Sequence, residues 1–260
     1  MSTAVHYTRE GDIGVITLDR ADNRNSMTPE LLDAFTIATA AARADADMRC
    51  LVVTGTGTSF SAGADFKSTL QRAGDQRTPS DRSFAMYEPF LALLDIEVPV
   101  IGALNGHAVG GGFGLALVCD IRIGALDSKY GANFVRLGLA PGMAISYLLP
   151  RLVGVARASE LLLTGRLVDG REAETLGILN RAVAAADVLF EAMGMARTIA
   201  DNAPLAVRET KRAIRRGLEL HVREAARAES YAQAESLTTD DAREGIAALL
   251  AKRPPKFTGR

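Results

Sequence analysis

Glycines are the residues of this chain best placed to do chemistry. Between positions 102 and 120 it reads GALNGHAVGGGFGLALVCD, after an apolar run at 98–104 with the character of a buried strand. The run breaks at Asn105-Gly106, crosses Gly110, Gly111 and Gly112, and enters a short apolar helix that ends near Cys119-Asp120. A strand feeding a glycine-rich turn and a helix N-terminus presents free backbone N–H groups to something negative. Glycine serves where backbone must approach a ligand closely or take positive φ. The partner is a phosphate, a dinucleotide or a developing oxyanion; the alternative is a tight turn packed for its geometry alone. Gly110-Gly111-Gly112-Phe113-Gly114 fits the Gly-x-Gly-x-x-Gly fingerprint badly, and no Gly-Lys-Ser/Thr follows to make a P-loop. An oxyanion site remains, and it needs a second donor from elsewhere.

The loop at 55–67, GTGTSFSAGADFK, offers that donor, because it too follows a compact apolar run, at 50–54. Side chains with obvious chemistry are sparse. His6, His107 and His221 lie far apart, which argues against a histidine metal site. Histidine as a residue type changes charge near neutrality, so His107, beside the triple glycine, is a candidate acid or base. Cys50 and Cys119 stand in apolar runs and read as core thiols rather than a disulfide.

Several elements must position these loops. Two alternating runs, 5–9 and 13–18, flank Glu10-Gly11-Asp12 as a hairpin. Thr28 caps a helix with Pro29 at its first position, running to about Arg43. A helix over 82–94 precedes the central strand. Strands are expected at 120–124, 129–134 and 178–183, and helices at 144–153 and 155–163. From Ala186 onward the pattern is helical, with Pro204 opening one helix and polar breaks near 237–240. The charged runs at 211–216 and 223–227 read as solvated helix faces. The unit of strand, small-residue loop and helix recurs three times before residue 185. With 48% apolar residues in 260, the chain can build a sizeable core. A net charge of −1 argues against nucleic acid or an anionic membrane as partner. No signal pattern opens the chain and no apolar run reaches about 18 residues, so a cytoplasmic location is expected.

Taken together, the motifs resemble the crotonase superfamily, the enoyl-CoA hydratases and isomerases. The resemblance rests on FSAGADFK at 60–67, NGHAVGGG at 105–112, CDIR at 119–122 and LGLAPG at 137–142. It continues through LLTGR at 162–166 and KRPPKFTG at 252–259, and so spans most of the chain. It implies an α/β fold, a crotonase-like spiral of ββα units over 1–185, with a C-terminal α-helical trimerisation region over 186–260. A homotrimer, or trimers paired into a hexamer, is then expected. The implied ligand is an acyl-CoA thioester, with coenzyme A carried by the substrate and no separate cofactor or metal. Ala64 and Gly111 match the two backbone donors that hold the thioester oxygen. Ala62, Ala64, Asp65, Phe66, Lys67, Gly110, Gly111 and Phe257 match substrate-binding positions, Phe257 often serving a neighbouring subunit's site.

The proton-handling half departs from the family. Hydratases carry one glutamate two residues after the third glycine and another seven residues before the proline of the LGxxPG motif. Those positions are Gly114 and Phe134 here. A third, which bears the carboxylate of some isomerases, is Gly142. Glycine and phenylalanine supply neither acid nor base. The substitutions suggest a roomy apolar pocket for a bulky acyl group. His107 and Glu88, with Tyr87 beside it, are the alternative acid–base candidates, and surface helix residues are the plainer reading of Glu88 and Tyr87. The alternatives are a decarboxylase, isomerase or ring-processing relative, or a non-catalytic acyl-CoA-binding protein.

Overall fold

A computed structural model describes residues 4–65, 76–202, 204–215 and 219–256. Phe66, Lys67 and Phe257, three of the expected substrate contacts, lie outside them. The antiparallel hairpin of β1 (Val5–Glu10) and β2 (Ile13–Leu18) opens the chain as its alternation predicts. Helix α1 (Pro29–Ala44) starts at the Thr28-Pro29 pair, the Thr28 hydroxyl accepting from the N–H of Leu31 at 3.2 Å.

Strands β3 (Cys50–Gly55), β5 (Val100–Leu104), β7 (Ile121–Ala125) and β9 (Arg181–Val183) extend the hairpin into a six-stranded sheet, ordered β1-β2-β3-β5-β7-β9 and parallel from β2 onward. The inner strands β3 and β5 are nearly continuous apolar runs because both faces are covered. Leu51 and Val53 face the main core beside Phe35 and Phe90, whereas Cys50 and Val52 face a second core. The helix at Val188–Ala200 covers that second face.

Each of β3, β5 and β7 is followed by a very short strand: β4 (Ser59–Ser61), β6 (His107–Val109) and β8 (Tyr130–Gly131). These three make a second, parallel sheet ordered β4-β6-β8. The small-residue loop of the sequence pattern is therefore a ββ unit, and the chain winds as a spiral of such units. The strand expected over 129–134 is cut to two residues: Gly131 takes φ +147°, and Phe134–Leu137 forms a 3-10 turn instead. The strand expected from Ile178 begins only at Arg181, because Ile178 and Leu179 donate back to the carbonyl of Ala173.

Helix α2 (Pro79–Leu91) begins three residues earlier than the expected 82 and passes into a 3-10 turn at Ala92–Asp95. Thr78 and Pro79 repeat the cap of α1. Helix α3 (Gly111–Val118) leaves the triple glycine and is buried throughout. Helices α4 (Ile145–Val153) and α5 (Val155–Thr164) part at Gly154 as predicted, and α6 (Gly170–Thr175) leads to β9.

The tail comprises α7 (Val188–Ala200), α8 (Pro204–Arg215), α9 (Glu219–Leu237) and α10 (Asp240–Leu250). Helix α9 packs along α2. The solvated-face reading of 211–216 is corrected at two positions, since Lys211 and Arg215 are buried. Lys211 Nζ lies 3.0 Å from Asp120, whose other oxygen accepts from Arg215 Nη2 at 2.7 Å. Lys211 also donates to the carbonyl of Val98 at 2.6 Å, and Asp120 accepts from the N–H of Val100 at 2.8 Å. The cluster ties the tail to the sheet behind α3. Burial lowers the Lys211 pKa, and neighbouring Asp120 opposes that shift.

Candidate active site

The two loops singled out in the sequence meet through their backbones at Gly63. This residue takes φ +82°, and a Cβ placed on it would stand 2.6 Å from the carbonyl of Val109 and 2.9 Å from the nitrogen of Gly111. Only a glycine lets the chain approach so closely in that conformation. Next to it, Ala64 forms a parallel bridge with Met27, and Met27 donates to the carbonyl of Gly63 at 2.8 Å. Ala64 and Asp65 are partly exposed, and Ala62 donates to the carbonyl of Arg24 at 3.0 Å. Gly110 takes φ +56°, and its N–H goes to the carbonyl of Gly131 at 2.9 Å. Gly111 is the first residue of α3, where the helix leaves its N–H groups unpaired. Among the described residues, neither Ala64 nor Gly111 has a partner for its N–H.

A residue not singled out in the sequence holds this arrangement. Asn25 is fully buried; its side-chain oxygen accepts from the N–H of Arg20 at 2.8 Å and its amide donates to the carbonyls of Thr56 and Ser59 at 3.1 and 2.8 Å. Ser61 returns a bond to the carbonyl of Asn25 at 2.8 Å. Every polar group of this buried amide is satisfied, so it clamps the loop before Gly63. In the sequence it is one asparagine in a polar loop.

The three positions lacking a carboxylate also gather near the turn, yet the space beside them is filled. The Phe134 ring points at Gly110, its Cζ 3.9 Å from where a Cβ would stand. A Cβ on Gly114 would lie under 3.0 Å from Met143 Cβ, and one on Gly142 under 3.0 Å from the Tyr87 ring and hydroxyl. Tyr87 is buried and donates to Gln233 of α9, which corrects its reading as a surface residue. The expected roomy pocket is corrected likewise, because Met143 and Tyr87 take up the room that the glycines leave.

Both alternative acid–base candidates are exposed surface residues. His107 is exposed at the start of β6, the far end from the triple glycine, and its Nδ1 accepts from the N–H of Lys129 at 2.9 Å. Glu88 is exposed and pairs with Arg223 of α9 at 3.4 Å. The two thiols are buried and unbridged. Burial pushes both up to about 12, far from reactivity.

A ββα spiral with two apposed small-residue loops is the architecture of the crotonase superfamily. An enoyl-CoA hydratase/isomerase from Pseudoalteromonas atlantica superposes with a TM-score of 0.88 at 29% identity, over 98% of this chain and 100% of that one. The family model described as enoyl-CoA hydratase/isomerase matches residues 8–260. The chain is 36% identical to the probable enoyl-CoA hydratase EchA8 of Mycobacterium tuberculosis, over 97% of its own length and 96% of the relative's. It is 33% identical to the short-chain-enoyl-CoA hydratase of Clostridium acetobutylicum, over 94% of each. The chain belongs to the enoyl-CoA hydratase/isomerase family, enzymes of acyl-CoA metabolism.

Proposed function

We propose that the chain binds an acyl-CoA thioester and holds its carbonyl oxygen between the N–H groups of Ala64 and Gly111. The observation that carries this reading is the contact at Gly63, which brings together the loops bearing Ala64 and Gly111, whose own N–H groups have no partner among the described residues. An enolate or tetrahedral intermediate concentrates negative charge on that oxygen. Two preorganised donors, one at a helix N-terminus, stabilise the charge more than they stabilise the neutral carbonyl. The coenzyme A arrives with the substrate, and the reaction draws on no other cofactor.

Gly114, Phe134 and Gly142 supply no proton donor or acceptor at the places where relatives carry carboxylates. Hydration of an unsaturated thioester needs both a base and an acid, each contributing roughly 10²–10⁴-fold. The reading therefore favours a reaction that needs oxyanion stabilisation but no protein base, such as decarboxylation, in which the breaking C–C bond leaves its electrons on the enolate as CO2 departs, over rapid hydration. The assembly that fits the family is a cytoplasmic homotrimer or hexamer formed through the helical tail at 186–260, with 1–185 as the thioester-binding core.

Calorimetry and a hydration assay test this together. Butyryl-CoA binds, and crotonyl-CoA is hydrated at least about 100-fold more slowly than by the Clostridium short-chain relative under the same conditions. Absence of acyl-CoA binding refutes the ligand, and hydration at the relative's rate refutes the reaction class.

A further inference from the structure

Arg208 of α8 lines three adjoining clefts, of about 260, 390 and 210 Å³, at the edge of the sheet where β3 and β5 begin. The end of α1 and the approaches to β3 and β5 make the other walls. This edge lies opposite the donors, because β3 and β5 run parallel and the loops bearing Ala64 and Gly111 follow their far ends. The six residues of β3, at about 3.3 Å each, put roughly 20 Å between the two places.

Every carboxylate lining the clefts is held by a cation other than Arg208. Asp45 and Asp47 pair with Arg9 at 2.8 and 3.5 Å, and Asp12 with Arg49 at 3.5 Å. Asp95 pairs with Arg223 at 3.0 Å and Glu97 with Arg212 at 3.6 Å. Arg208 has neither hydrogen bond nor ion pair among the described residues, and its Nε is closed to solvent. A half-buried guanidinium in this position carries a charge that only an anion at its cleft-facing end relieves. The 210 Å³ cleft sharpens the requirement: Arg43, Arg208, Lys211, Arg212 and Arg215 face Asp95 and Glu97 there, with Asp120 behind them. Five cations against three carboxylates leave two positive charges in excess, and Arg223 is itself balanced by Glu88. Arg43, exposed and no closer than 3.9 Å to Asp95, can turn in beside Arg208.

We infer that this cleft binds a phosphate dianion, with Arg208 as its direct ligand and Arg43 as the second. Guanidinium groups present paired N–H donors that match phosphate oxygens. Ala42, Ala46, Met48 and Ile96 add apolar wall against which the organic part of a phosphate monoester packs. The inference stands apart from the thioester reading, since none of these residues belongs to the donor loops.

Calorimetric titration of the full chain with phenyl phosphate, inorganic phosphate and acetate, in about 0.15 M salt at pH 8, tests it. Phenyl phosphate should bind with a dissociation constant of about 1 mM or tighter, and singly charged acetate at least about tenfold more weakly. Arg208→Met keeps the bulk and removes the charge, so it should weaken phenyl phosphate about tenfold or more, with a smaller loss in Arg43→Gln. Saturating butyryl-CoA should leave the affinity unchanged. Tighter binding of phenyl phosphate than of inorganic phosphate assigns the site to an ester, and the reverse order assigns it to the free ion. Wild type that binds neither phosphate at this salt overturns the inference without recourse to any variant. Acetate binding as tightly as phenyl phosphate overturns it too, as does undiminished binding to a folded Arg208→Met protein. Displacement by butyryl-CoA would place the anion at the donor loops instead and equally refute it.

Discussion

At Gly63 the missing side chain lets two stretches of backbone meet, whereas at Gly114 and Gly142 the missing side chains admit Met143 and Tyr87. The donor half of the site is built by subtraction: glycine at the contact, glycine at the helix start, and a buried Asn25 amide pinning the approach. The half that would face the acyl group is built by substitution, with Met143 and Tyr87 occupying the space that Gly114 and Gly142 leave. The two halves show that a glycine beside an active site carries no single meaning. It exposes donors when backbone fills the space next to it, and it narrows the pocket when a distant side chain does.

The largest effect should follow from breaking the donor half. Gly63→Ala puts a methyl between the loops, 2.6 Å from one carbonyl and 2.9 Å from the Gly111 nitrogen, without changing any catalytic group. Turnover of any verified acyl-CoA substrate should fall about 10²–10³-fold, the cost of losing one oxyanion donor. Unchanged kcat in a folded Gly63→Ala variant would show that the loops need not be in register.

The acyl half should respond differently. Gly114→Glu, which introduces the first glutamate that the family resemblance implies, must push Met143 aside. Overpacking of this kind should cost about 1–3 kcal/mol in urea denaturation and add no hydratase activity. Adding Met143→Gly should recover most of that stability. Only with Phe134→Glu as a third change should crotonyl-CoA hydration rise above wild type, and then partially, since the new carboxylates lack supporting partners. Rescue by Gly114→Glu alone would mean that the pocket is open.

Much of this frame was legible beforehand, for identifiable reasons. Thr28-Pro29 marks a helix start by a cap and a fixed φ, and the buried parallel strands are runs that no other element explains. Thr78-Pro79 carries the same signal at the start of α2 but stands in a polar stretch that hides it. Strands of two or three residues such as β8 are too short for periodicity to register. Lys211 and Arg215 defeat pattern reading outright, because α8 buries cations on Asp120 and on the carbonyls of Val98 and Leu94 while leaving Ile214 exposed. The meeting of the two small-residue loops could be anticipated from their place after buried strands and from family resemblance, since the glycines themselves carry the signal. Met143 could not be, because its role depends on a left-handed backbone that puts it against a residue far away in sequence.

The smallest effect concerns the packing behind the donor half, where Cys119 Sγ lies 3.2 Å from the place of a Cβ on Gly102. Burial raises the Cys50 and Cys119 thiols from an ordinary value of 9.0 to about 12. Between those values the unfolded chain releases thiol protons that the folded chain keeps, so this contribution weakens stability as pH rises above about 9. Lys211, lowered by burial, contributes with the opposite sign. The clean readout is therefore a difference: the Cys50→Ala/Cys119→Ala protein should lose less stability than wild type between pH 8 and 10.5 in urea titrations. Equal losses would place the thiols in contact with water.

The central claim is that the Ala64 and Gly111 N–H groups polarise a thioester carbonyl. Carbon-13 NMR of butyryl-CoA labelled at the carbonyl, bound at saturation, reads that polarisation directly. Wild type should move the carbonyl resonance downfield of free butyryl-CoA, and Gly63→Ala should return it towards the free value while the ligand stays bound. A saturated wild-type complex whose carbonyl resonance matches free butyryl-CoA would contradict the account.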